Sequence, residues 1–460
     1  MNPFVAPGIF KAYDIRGVVD TDLTPDAVRL IGRAIGAELR ARGQSTVAVG
    51  RDGRLSGPAL VATLCEGLRS SGVSVTDIGV CATPMLYFAV FALGLGGGVM
   101  VTGSHNPPQY NGLKMVLAGE TLSGAAIQDL RRRIEQGDFG SAPPAPGGLS
   151  STNIGERYLQ RICSDVKLAR PLHIAVDCGN GSPGAIAPEL FRRLGCTVTE
   201  LFCDVDGHFP NHHPDPSDPR NLRDLQAELA RGGYDVGLAF DGDGDRLGVV
   251  TRHGQVIYPD RQLMLFAADV LSRNPGAQII YDVKCTRQLS VWIAQHGGDP
   301  VLWKTGHSLI KAKLRETGAP LAGEMSGHTF FKERWYGFDD GLYAGARLLE
   351  ILARAADIDS VFASLPDTVN TPELQLPAPG GDPHALVERL QQTARFPGAQ
   401  QVVTLDGLRV EYADGFGLVR ASNTTPVLVL RFEGDTIEAL QRIQAEFRAV
   451  LAGVGVQLPG

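Results

Sequence analysis

The sequence predicts an α/β protein in which three similar mixed α/β domains precede a smaller C-terminal α+β domain. Three observations predict this fold class. The chain has 460 residues, too many for a single hydrophobic core. Three stretches repeat the same order of elements, a strand, a helix and a second strand. The C-terminal part differs from them, because strands with short connections are flanked there by helical segments.

The three repeats begin with short apolar runs that end in polar turns, at 47–52, 174–180 and 279–285. In each repeat a helical segment follows, and a glycine then leads into a second apolar run. Strand, helix and strand in this order predict a βαβ unit with parallel strands. A third apolar run in each repeat ends in a polar loop, and these loops contain TGSHNP, FDGDGDR and GEMSGH. Because ligands of open α/β sheets gather beyond the carboxyl ends of strands, we expect the three loops to form one site between the domains.

The C-terminal domain is predicted from strands at 408–415, 416–422 and 427–435 and from the helices that flank them. Short connections between these strands predict an antiparallel sheet. Segments rich in Pro, Gly and Ser, the clearest at 141–152, indicate the domain boundaries. The predicted domains are 1–150, 151–253, 254–367 and 368–460.

The composition limits the partners and the compartment. With 43 basic and 50 acidic residues the formal net charge is −7, which argues against nucleic acid or an anionic membrane as the main partner. The most apolar stretch is short of a membrane span, and the N-terminus lacks the apolar core of a secretory signal. The seven cysteines are scattered singly, which supports neither a zinc site nor a disulfide framework. We therefore expect a cytoplasmic protein.

The loop TGSHNPPQYNGLK at 102–114 places a serine beside a histidine after a predicted buried strand. Ser104 can accept and donate a phosphoryl group if it is activated and its charge is neutralised. His105 and Lys114 can supply proton transfer or positive charge at the reacting oxygens. A Ser-His pair alone is more often an ordinary turn. The loop contains no G-x-S-x-G nucleophile motif, and the preceding glycines do not form a G-x-G-x-x-G dinucleotide motif.

The loop FDGDGDRLG at 240–248 places Asp241, Asp243 and Asp245 at alternate positions. Three carboxylates would repel one another in a compact loop, and a bound cation makes the arrangement favourable. An EF-hand is excluded, because Arg246 stands where that loop needs Gly, and its twelfth position is not Glu. Three protein oxygens suit Mg²⁺, which prefers few protein ligands together with a phosphate oxygen. The alternative interpretation is a solvated acidic turn.

The loop GEMSGH offers a carboxylate, a hydroxyl and an imidazole within five residues. Glu324 and Ser326 suit adjacent sugar hydroxyls, and His328 can exchange a proton with a reacting hydroxyl. Taken alone, a surface turn could have the same composition. Lys284 and His307 lie in two further polar turns, where solvated loop residues are the alternative.

The loop RASNTTP follows a predicted strand of the last domain. A guanidinium, hydroxyls and turn amides together can form a phosphate cradle. A Ser/Thr-rich turn with an incidental arginine is an equal alternative from this loop alone. The candidate phosphate ligands are Arg420, Ser422, Asn423, Thr424 and Thr425.

With these loops in this order, the chain resembles the α-D-phosphohexomutase superfamily, in particular the bacterial phosphomannomutase/phosphoglucomutase group. The resemblance extends from FKAYDIRG at 10–17 to RASNTTP at 420–426, and it includes PNHHPDPSDPRNL at 210–222. It implies four domains around a central cleft. Many members have Ala where this chain has Gly103, and we expect the glycine to loosen the loop slightly.

The resemblance also implies roles for individual residues. Ser104 would be the phosphoserine, and its phosphoryl group would complete the Mg²⁺ site of the three aspartates. Arg246 would lie beside the phosphoserine, while Glu324 and Ser326 would bind sugar hydroxyls. Residues 420–425 would bind the phosphate that does not react. The residues expected to line the sugar and phosphate cleft are Tyr13, Arg16, Lys284 and His307.

The implied reaction is reversible phosphoryl transfer between C6 and C1 of glucose and mannose phosphates. A hexose 1,6-bisphosphate would be both intermediate and activator, and the protein is expected to act as a monomer on small sugar phosphates. One alternative is phosphoglucosamine mutase, a related group that commonly has Gln where this chain has Met325. Another is a metal-dependent sugar phosphatase. A binding protein without activity is disfavoured, because the serine and all three aspartates are present.

Overall fold

Four β-sheets follow one another along the chain in a computed structural model that describes residues 5–141, 143–423 and 425–458. Thr424, one of the candidate phosphate ligands, lies outside the described residues. Within those residues, no helix combines the length and the apolar character needed to cross a membrane. Short 3-10 helices cover Pro7–Ile9, Ser182–Ala185, Pro219–Leu222 and Pro379–Gly381.

The first sheet has seven strands. They are β1 Ile15–Val18, β2 Thr46–Arg51, β3 Ser74–Val80, β4 Gly97–Val101, β5 Tyr110–Leu117, β6 Glu120–Thr121 and β7 Leu149–Ser151. Their order is β1-β5-β4-β2-β3-β7, with β6 beside β5. The helices of this domain are α1 Pro25–Ala41, α2 Gly57–Ser70, α3 Thr83–Ala92 and α4 Ala125–Gln136.

The second and third sheets are smaller. The second contains β8 His173–Asp177, β9 Thr197–Leu201, β10 Val236–Phe240, β11 Leu247–Thr251 and β12 Val256–Ile257, with helices α5 Gly155–Asp165, α6 Ala187–Arg193 and α7 Arg223–Leu229. The third contains β13 Gln278–Asp282, β14 Asp299–Trp303, β15 Leu321–Gly323 and β16 Thr329–Phe331. Its helices are α8 Pro259–Leu271, α9 Gln288–Gln295, α10 His307–Thr317, α11 Gly341–Arg354 and α12 Ile358–Ala363. The strand orders are β12-β11-β10-β8-β9 and β14-β13-β15-β16.

These three sheets share one four-stranded arrangement. The first strand of each repeat (β2, β8 or β13) pairs in parallel with the second (β3, β9 or β14), as the βαβ prediction requires. It also pairs in parallel with the third strand (β4, β10 or β15), which then pairs antiparallel with a fourth (β5, β11 or β16). Every residue of the three third strands is buried, which explains their continuous apolar sequences. The third strand is connected to the fourth by residues 102–109 in the first domain, 241–246 in the second and 324–328 in the third. According to their predicted roles, these connections are called the serine loop, the metal loop and the sugar loop.

The C-terminal sheet is antiparallel, as predicted. It contains β17 Val369–Asn370, β18 Leu374–Pro377, β19 Gln401–Val403, β20 Leu408–Tyr412, β21 Gly415–Ala421 and β22 Val427–Gly434, with helices α13 Pro383–Thr393 and α14 Ile437–Ala452. The order is β17-β22-β21-β20-β19, with β18 also on β22. The three α/β domains and the smaller α+β domain confirm the predicted fold class.

Two short strands lie in segments where the sequence indicated boundaries. β7, within the predicted linker 141–152, pairs in parallel with β3 although all three of its residues are exposed. β12 pairs with β11 across the predicted limit at residue 253. Neither strand has an alternating apolar pattern, which is why sequence periodicity does not reveal them. The predicted domain limits stay predictions.

Candidate active site

The serine loop follows β4, and its nucleophile candidate is buried. Ser104 is 2% exposed, and its backbone lies in the left-handed region, with φ 48°. This conformation is uncommon for a residue with a side chain. The backbone N–H of Ser104 donates to Thr102 Oγ1 at 2.8 Å, and Thr102 in turn donates to Asp52 Oδ2 at 2.8 Å. The loop is therefore fixed by Asp52, the residue that follows β2.

A buried arginine that no sequence motif indicates holds the same loop from within. The guanidinium of Arg54 donates to the backbone carbonyls of Ser104, Asn106, Pro107 and Tyr110 at 2.5–3.0 Å. A Cβ on Gly103 would lie 2.4 Å from the Arg54 guanidinium carbon. Gly103 therefore leaves room for the Arg54 side chain, and the expectation that the glycine loosens the loop stays a prediction.

Replacing Arg54 by alanine is expected to lower the free energy of unfolding of the first domain by about 3–5 kcal/mol, because the buried Asp52 carboxylate loses the partner at 3.2 Å. Lysine at this position should restore part of the loss, since it keeps the charge but not the forked donors. Urea and thermal unfolding measure the effect, with the exposed Arg132→Ala as control. Unchanged stability of Arg54→Ala would contradict the bonding described for the loop.

The metal loop faces the serine loop from the second domain. Ser104 Oγ donates to Asp241 Oδ2 at 3.1 Å. Gly242 allows this approach, because a Cβ there would lie 2.5 Å from the Ser104 carbonyl oxygen. From the first domain, Thr83 donates to Asp243 Oδ2 at 2.5 Å, a contact that the sequence did not indicate. The structure thus brings the predicted nucleophile and the predicted metal ligands together.

The three aspartates form a group that fits a cation. Asp241, Asp243 and Asp245 are fully buried, and each offers a carboxylate oxygen within 4.8 Å of the others. Among the described residues, none hydrogen-bonds to the buried Oδ1 of Asp243. Burial and the neighbouring Asp245 and Asp243 charges raise the pKa of Asp241 well above its usual range. Such a cluster of oxygen ligands is suited to a hard divalent cation.

Basic side chains surround the aspartates. Lys114 Nζ lies 2.7 Å from Asp243 and 2.5 Å from Asp245, and Arg246 Nε lies 3.8 Å from Asp241. Burial opposes the charge of Lys114, but the aspartates raise its pKa above the usual range. The structure therefore favours the positive-charge role predicted for Lys114 over proton transfer.

His105, next to the serine, contacts a carboxylate from the second domain. Its Nδ1 lies 3.0 Å from Asp215 Oδ2. Burial and the nearby Arg246 charge lower the pKa of His105, although Asp215 acts in the opposite direction. This environment favours the neutral imidazole. Asp215 belongs to the segment 210–222, which resembles the family but has no motif that indicates a role for this residue.

The sugar loop of the third domain meets the metal loop. His328 Nε2 lies 3.3 Å from Asp245 Oδ1, and its Nδ1 lies 2.8 Å from Ser326 Oγ. Glu324 Oε1 accepts from the Gly306 backbone N–H at 2.5 Å, and its Oε2 lies 3.4 Å from His328. Burial opposes protonation of His328, but Asp245 and Glu324 raise its pKa to about 9. A cation bound by Asp245 would partly cancel this effect.

Tyr13 joins three domains at the edge of the cleft. Its hydroxyl donates to the Thr305 carbonyl at 2.7 Å and accepts from Asn423 of the last domain. The ring meets His307 edge to face, with 5.9 Å between centroids. Burial and the charges of Lys311 and Lys114 lower the pKa of His307 well below its usual value. A cavity of about 400 Å³ lies beside these contacts, between the third and fourth domains.

The remaining predicted cleft residues are arranged around acidic partners. Arg420 Nε donates to Asp406 at 3.2 Å, and Lys284 Nζ lies 2.9 Å from Glu373. Arg16 donates to Asp14 at 2.5 Å. The cradle hydroxyls of Ser422 and Thr425 lie 2.9 Å apart. Asp406 and Glu373 follow no recognisable sequence pattern, and only the fold places them beside these cations.

Fold and site together define a class of protein: a four-domain α/β protein with a buried serine beside an aspartate cluster suited to a cation. All four domains match sequence families described as phosphoglucomutase/phosphomannomutase. Alpha/beta/alpha domains I, II and III match residues 7–141, 156–254 and 258–369, and the C-terminal domain matches residues 384–450.

Named relatives match over nearly the whole chain. A phosphoglucomutase of Neisseria meningitidis is 57% identical over 448 residues, 97% of both chains. A phosphomannomutase/phosphoglucomutase of Pseudomonas aeruginosa is 57% identical over 458 residues, 99% of this chain and 98% of the relative. The crystal structure of a phosphoglucomutase/phosphomannomutase family protein from Burkholderia thailandensis is 57% identical and superposes with a TM-score of 0.94, covering 99% of this chain and 100% of the other. The chain belongs to the phosphoglucomutase/phosphomannomutase family, within the α-D-phosphohexomutase superfamily.

Proposed function

We propose that this protein is a metal-dependent phosphohexomutase that moves a phosphoryl group between the C6 and C1 oxygens of glucose and mannose phosphates. The observation that carries the proposal is the contact of Ser104 Oγ with Asp241 at 3.1 Å, inside a site to which the first three domains contribute. Relatives named phosphoglucomutase and phosphomannomutase/phosphoglucomutase, 57% identical over nearly the full length, support the substrate class.

In the proposed reaction, phosphorylated Ser104 gives its phosphoryl group to the free hydroxyl of a hexose monophosphate. A bond forms from that hydroxyl oxygen to phosphorus while the bond to Ser104 Oγ breaks. His105 takes the hydroxyl proton, and His328 gives a proton to the departing Oγ. The product is a hexose 1,6-bisphosphate, which turns end for end and returns its other phosphate to Ser104. Such a transfer depends on positioning and charge more than on covalent chemistry.

Charge on the transferring group is balanced from two sides. The three aspartates would hold Mg²⁺, which when bound supplies positive charge at the phosphoryl oxygens. Lys114 and Arg246 add fixed cations at the same place, because both lie against the aspartate cluster. A site with this balance suits a phosphoserine, whose own charge is negative.

Two groups of residues would let the site accept either end of the sugar. Glu324 and Ser326 are proposed to bind O3 and O4, which take each other's positions when C1 and C6 exchange. The cradle at 420–425, including Arg420, is proposed to hold whichever phosphate does not react. Tyr13, Arg16, Lys284 and His307 complete the proposed cleft. A hexose 1,6-bisphosphate is the proposed activator, and we propose that the protein acts as a cytoplasmic monomer.

A coupled assay tests the proposal. Glucose 1-phosphate with a trace of glucose 1,6-bisphosphate and Mg²⁺ should yield glucose 6-phosphate without release of inorganic phosphate. Stoichiometric phosphate release would instead identify a sugar phosphatase. Faster turnover of glucosamine phosphates than of glucose phosphates would favour the phosphoglucosamine alternative.

We expect the enzyme to accept both glucose and mannose 1-phosphate, with kcat/KM values within about 100-fold, or under about 3 kcal/mol. The two sugars differ only in the configuration at C2, whereas Glu324 and Ser326 are proposed to contact O3 and O4. Glu324→Ala should therefore lower both activities together, and the exposed Glu316→Ala, in the same domain, should lower neither. A Glu324 variant that lost only one of the two activities would show that this carboxylate distinguishes C2.

A further inference from the structure

The segment that connects β9 to α7 lies along both reactive loops, although the sequence indicates no chemistry for it beyond a family resemblance. Pro214 of this segment accepts the Gly242 backbone N–H at 3.1 Å, inside the metal loop. Its ring also packs against the position of a Cβ on Gly242, at 3.3 Å. The next residue, Asp215, reaches across the domain boundary to the serine loop. The segment is thus fixed to one loop and contacts the other.

Both carboxylate oxygens of Asp215 have defined partners. Oδ2 lies 3.0 Å from His105 Nδ1, and Oδ1 accepts the backbone N–H of Ser217 at 3.0 Å and its hydroxyl at 2.6 Å. Asn221 donates to the Asp215 carbonyl at 2.9 Å, which fixes the backbone as well. The Asp215 side chain is only 15% exposed. The carboxylate therefore has little freedom to rotate away from the imidazole.

Asp215 can only accept hydrogen bonds in its ionised form. Burial opposes ionisation of Asp215, but the hydrogen bond from His105 and the charge of Arg246 hold its pKa far below the usual range. His105 must consequently donate from Nδ1. In a neutral imidazole the proton can occupy one nitrogen only, so Nε2 is left as the acceptor.

We propose that Asp215 is a positioning residue: it holds His105 in the tautomer with the proton on Nδ1, which leaves Nε2 to accept the proton of the attacking sugar hydroxyl. The inference rests on the proposed mutase function. The contact joins the second domain to the first, so the imidazole is oriented only when the two domains are in their observed arrangement. Asp215 acts through His105 and is not itself placed at the reacting atoms.

The isosteric variant Asp215→Asn separates this role from a purely structural one. The backbone N–H of Ser217 is a fixed donor, so the amide oxygen should occupy the Oδ1 position and the amide NH₂ should face His105. Nδ1 must then accept, and the ring proton moves to Nε2. A structural role predicts little change, because shape and hydrogen bonds persist. The positioning role predicts a fall in kcat of about 10- to 100-fold with KM changed less than about threefold.

Two measurements on the full-length enzyme decide the question. Kinetics in the glucose 1-phosphate assay compare Asp215→Asn with Asp218→Asn, a control in the same turn whose carboxylate pairs with Arg220 instead. Nitrogen-15 spectra of histidine-labelled protein, assigned with His105→Ala, show which ring nitrogen of His105 carries the proton. We expect the proton to move from Nδ1 to Nε2 in Asp215→Asn and to stay on Nδ1 in Asp218→Asn.

A double-mutant comparison completes the test. In the His105→Ala background, Asp215→Asn should change kcat by less than about twofold, because the group it positions is gone. A kcat of Asp215→Asn close to wild type, or an equal loss with and without His105, would overturn the inference. Absence of mutase activity in the wild-type enzyme would instead overturn the proposed function, while the spectra would still report the Asp215–His105 contact.

Discussion

Ser104→Ala should reduce mutase turnover by at least about 10³-fold and should remove the phosphate from the purified enzyme. The reason is that the double transfer needs an acceptor on the protein, and the Ser104 hydroxyl, in the serine loop, lies against Asp241. The serine contacts Asp241 at 3.1 Å, and its backbone is strained, with φ 48°. Together these features fix the orientation of the hydroxyl relative to the metal loop. Peptide mass spectrometry of active enzyme should locate one phosphate on this residue.

The matched control is Ser326→Ala, which removes a hydroxyl from the same cleft but leaves the nucleophile. That variant should remain phosphorylated on Ser104 even where its turnover falls. Fully active wild-type enzyme that carried no phosphate, and gained none from glucose 1,6-bisphosphate, would contradict the phosphoserine mechanism.

Asp243→Asn and Asp241→Asn should each weaken Mg²⁺ binding and lower turnover by about 10²- to 10⁴-fold, the equivalent of several kcal/mol in the barrier. Their effects on stability in chelator should have opposite signs. The pKa of Asp241 is raised in the fold, mainly by burial and its acidic neighbours, so its ionised form costs stability at neutral pH and the neutral amide removes that cost. Burial also opposes ionisation of Asp243, but Lys114 and Thr83 lower its pKa, so its charge contributes stability that the amide loses.

Calorimetric Mg²⁺ binding and thermal unfolding in chelator measure these changes, with Asp224→Asn, exposed on α7, as the control. The melting temperature should rise for Asp241→Asn, fall for Asp243→Asn and stay constant for the control. Normal turnover of either variant in chelator would exclude the aspartates as the metal site.

The two aspartate variants are expected to change stability in opposite directions because the two carboxylates have different partners in the two domains. Asp243 is held by Thr83 and Lys114 of the first domain, at 2.5 and 2.7 Å. Asp241 accepts from Ser104 and from backbone N–H groups of its own loop. A change that separates the first two domains would therefore remove first-domain partners from two buried carboxylates at once. The cost of leaving these charges without those partners is a physical reason for the close packing of the loops.

Several features of the fold could be predicted because they depend on residues close in the sequence. Apolar runs of the right length, each followed by a helical segment, predict the parallel units around β2, β8 and β13. The antiparallel fourth strand of each repeat was not predicted, although it is the reason that the three loops turn back in the same way. The exposed β7 and the short β12 were missed because they lack an apolar alternation.

In the candidate site too, only the features that depend on residues close in the sequence could be predicted. A serine beside a histidine and three alternating aspartates are local patterns with a chemical meaning, so Ser104 and the three aspartates could be proposed as candidates from the sequence alone. Arg54 could not, because its four carbonyl partners lie 50 to 56 positions away and an arginine after a strand has no distinctive pattern. The same applies to Thr83 and Asp243, which are 160 positions apart.

By itself the sequence determined the fold class and the family, and it predicted a chemistry for each loop, since all three depend on residue types at short spacing. Only the tertiary structure decided which loops meet and which groups are paired there. Lys114 pairs with Asp243 and Asp245, and His105 contacts Asp215, because strands from different domains end at the same place. Hydrogen bonds and charges act over a few ångströms in space, whatever the separation along the chain. For that reason the partners of the candidate catalytic residues become known only when the chain is folded.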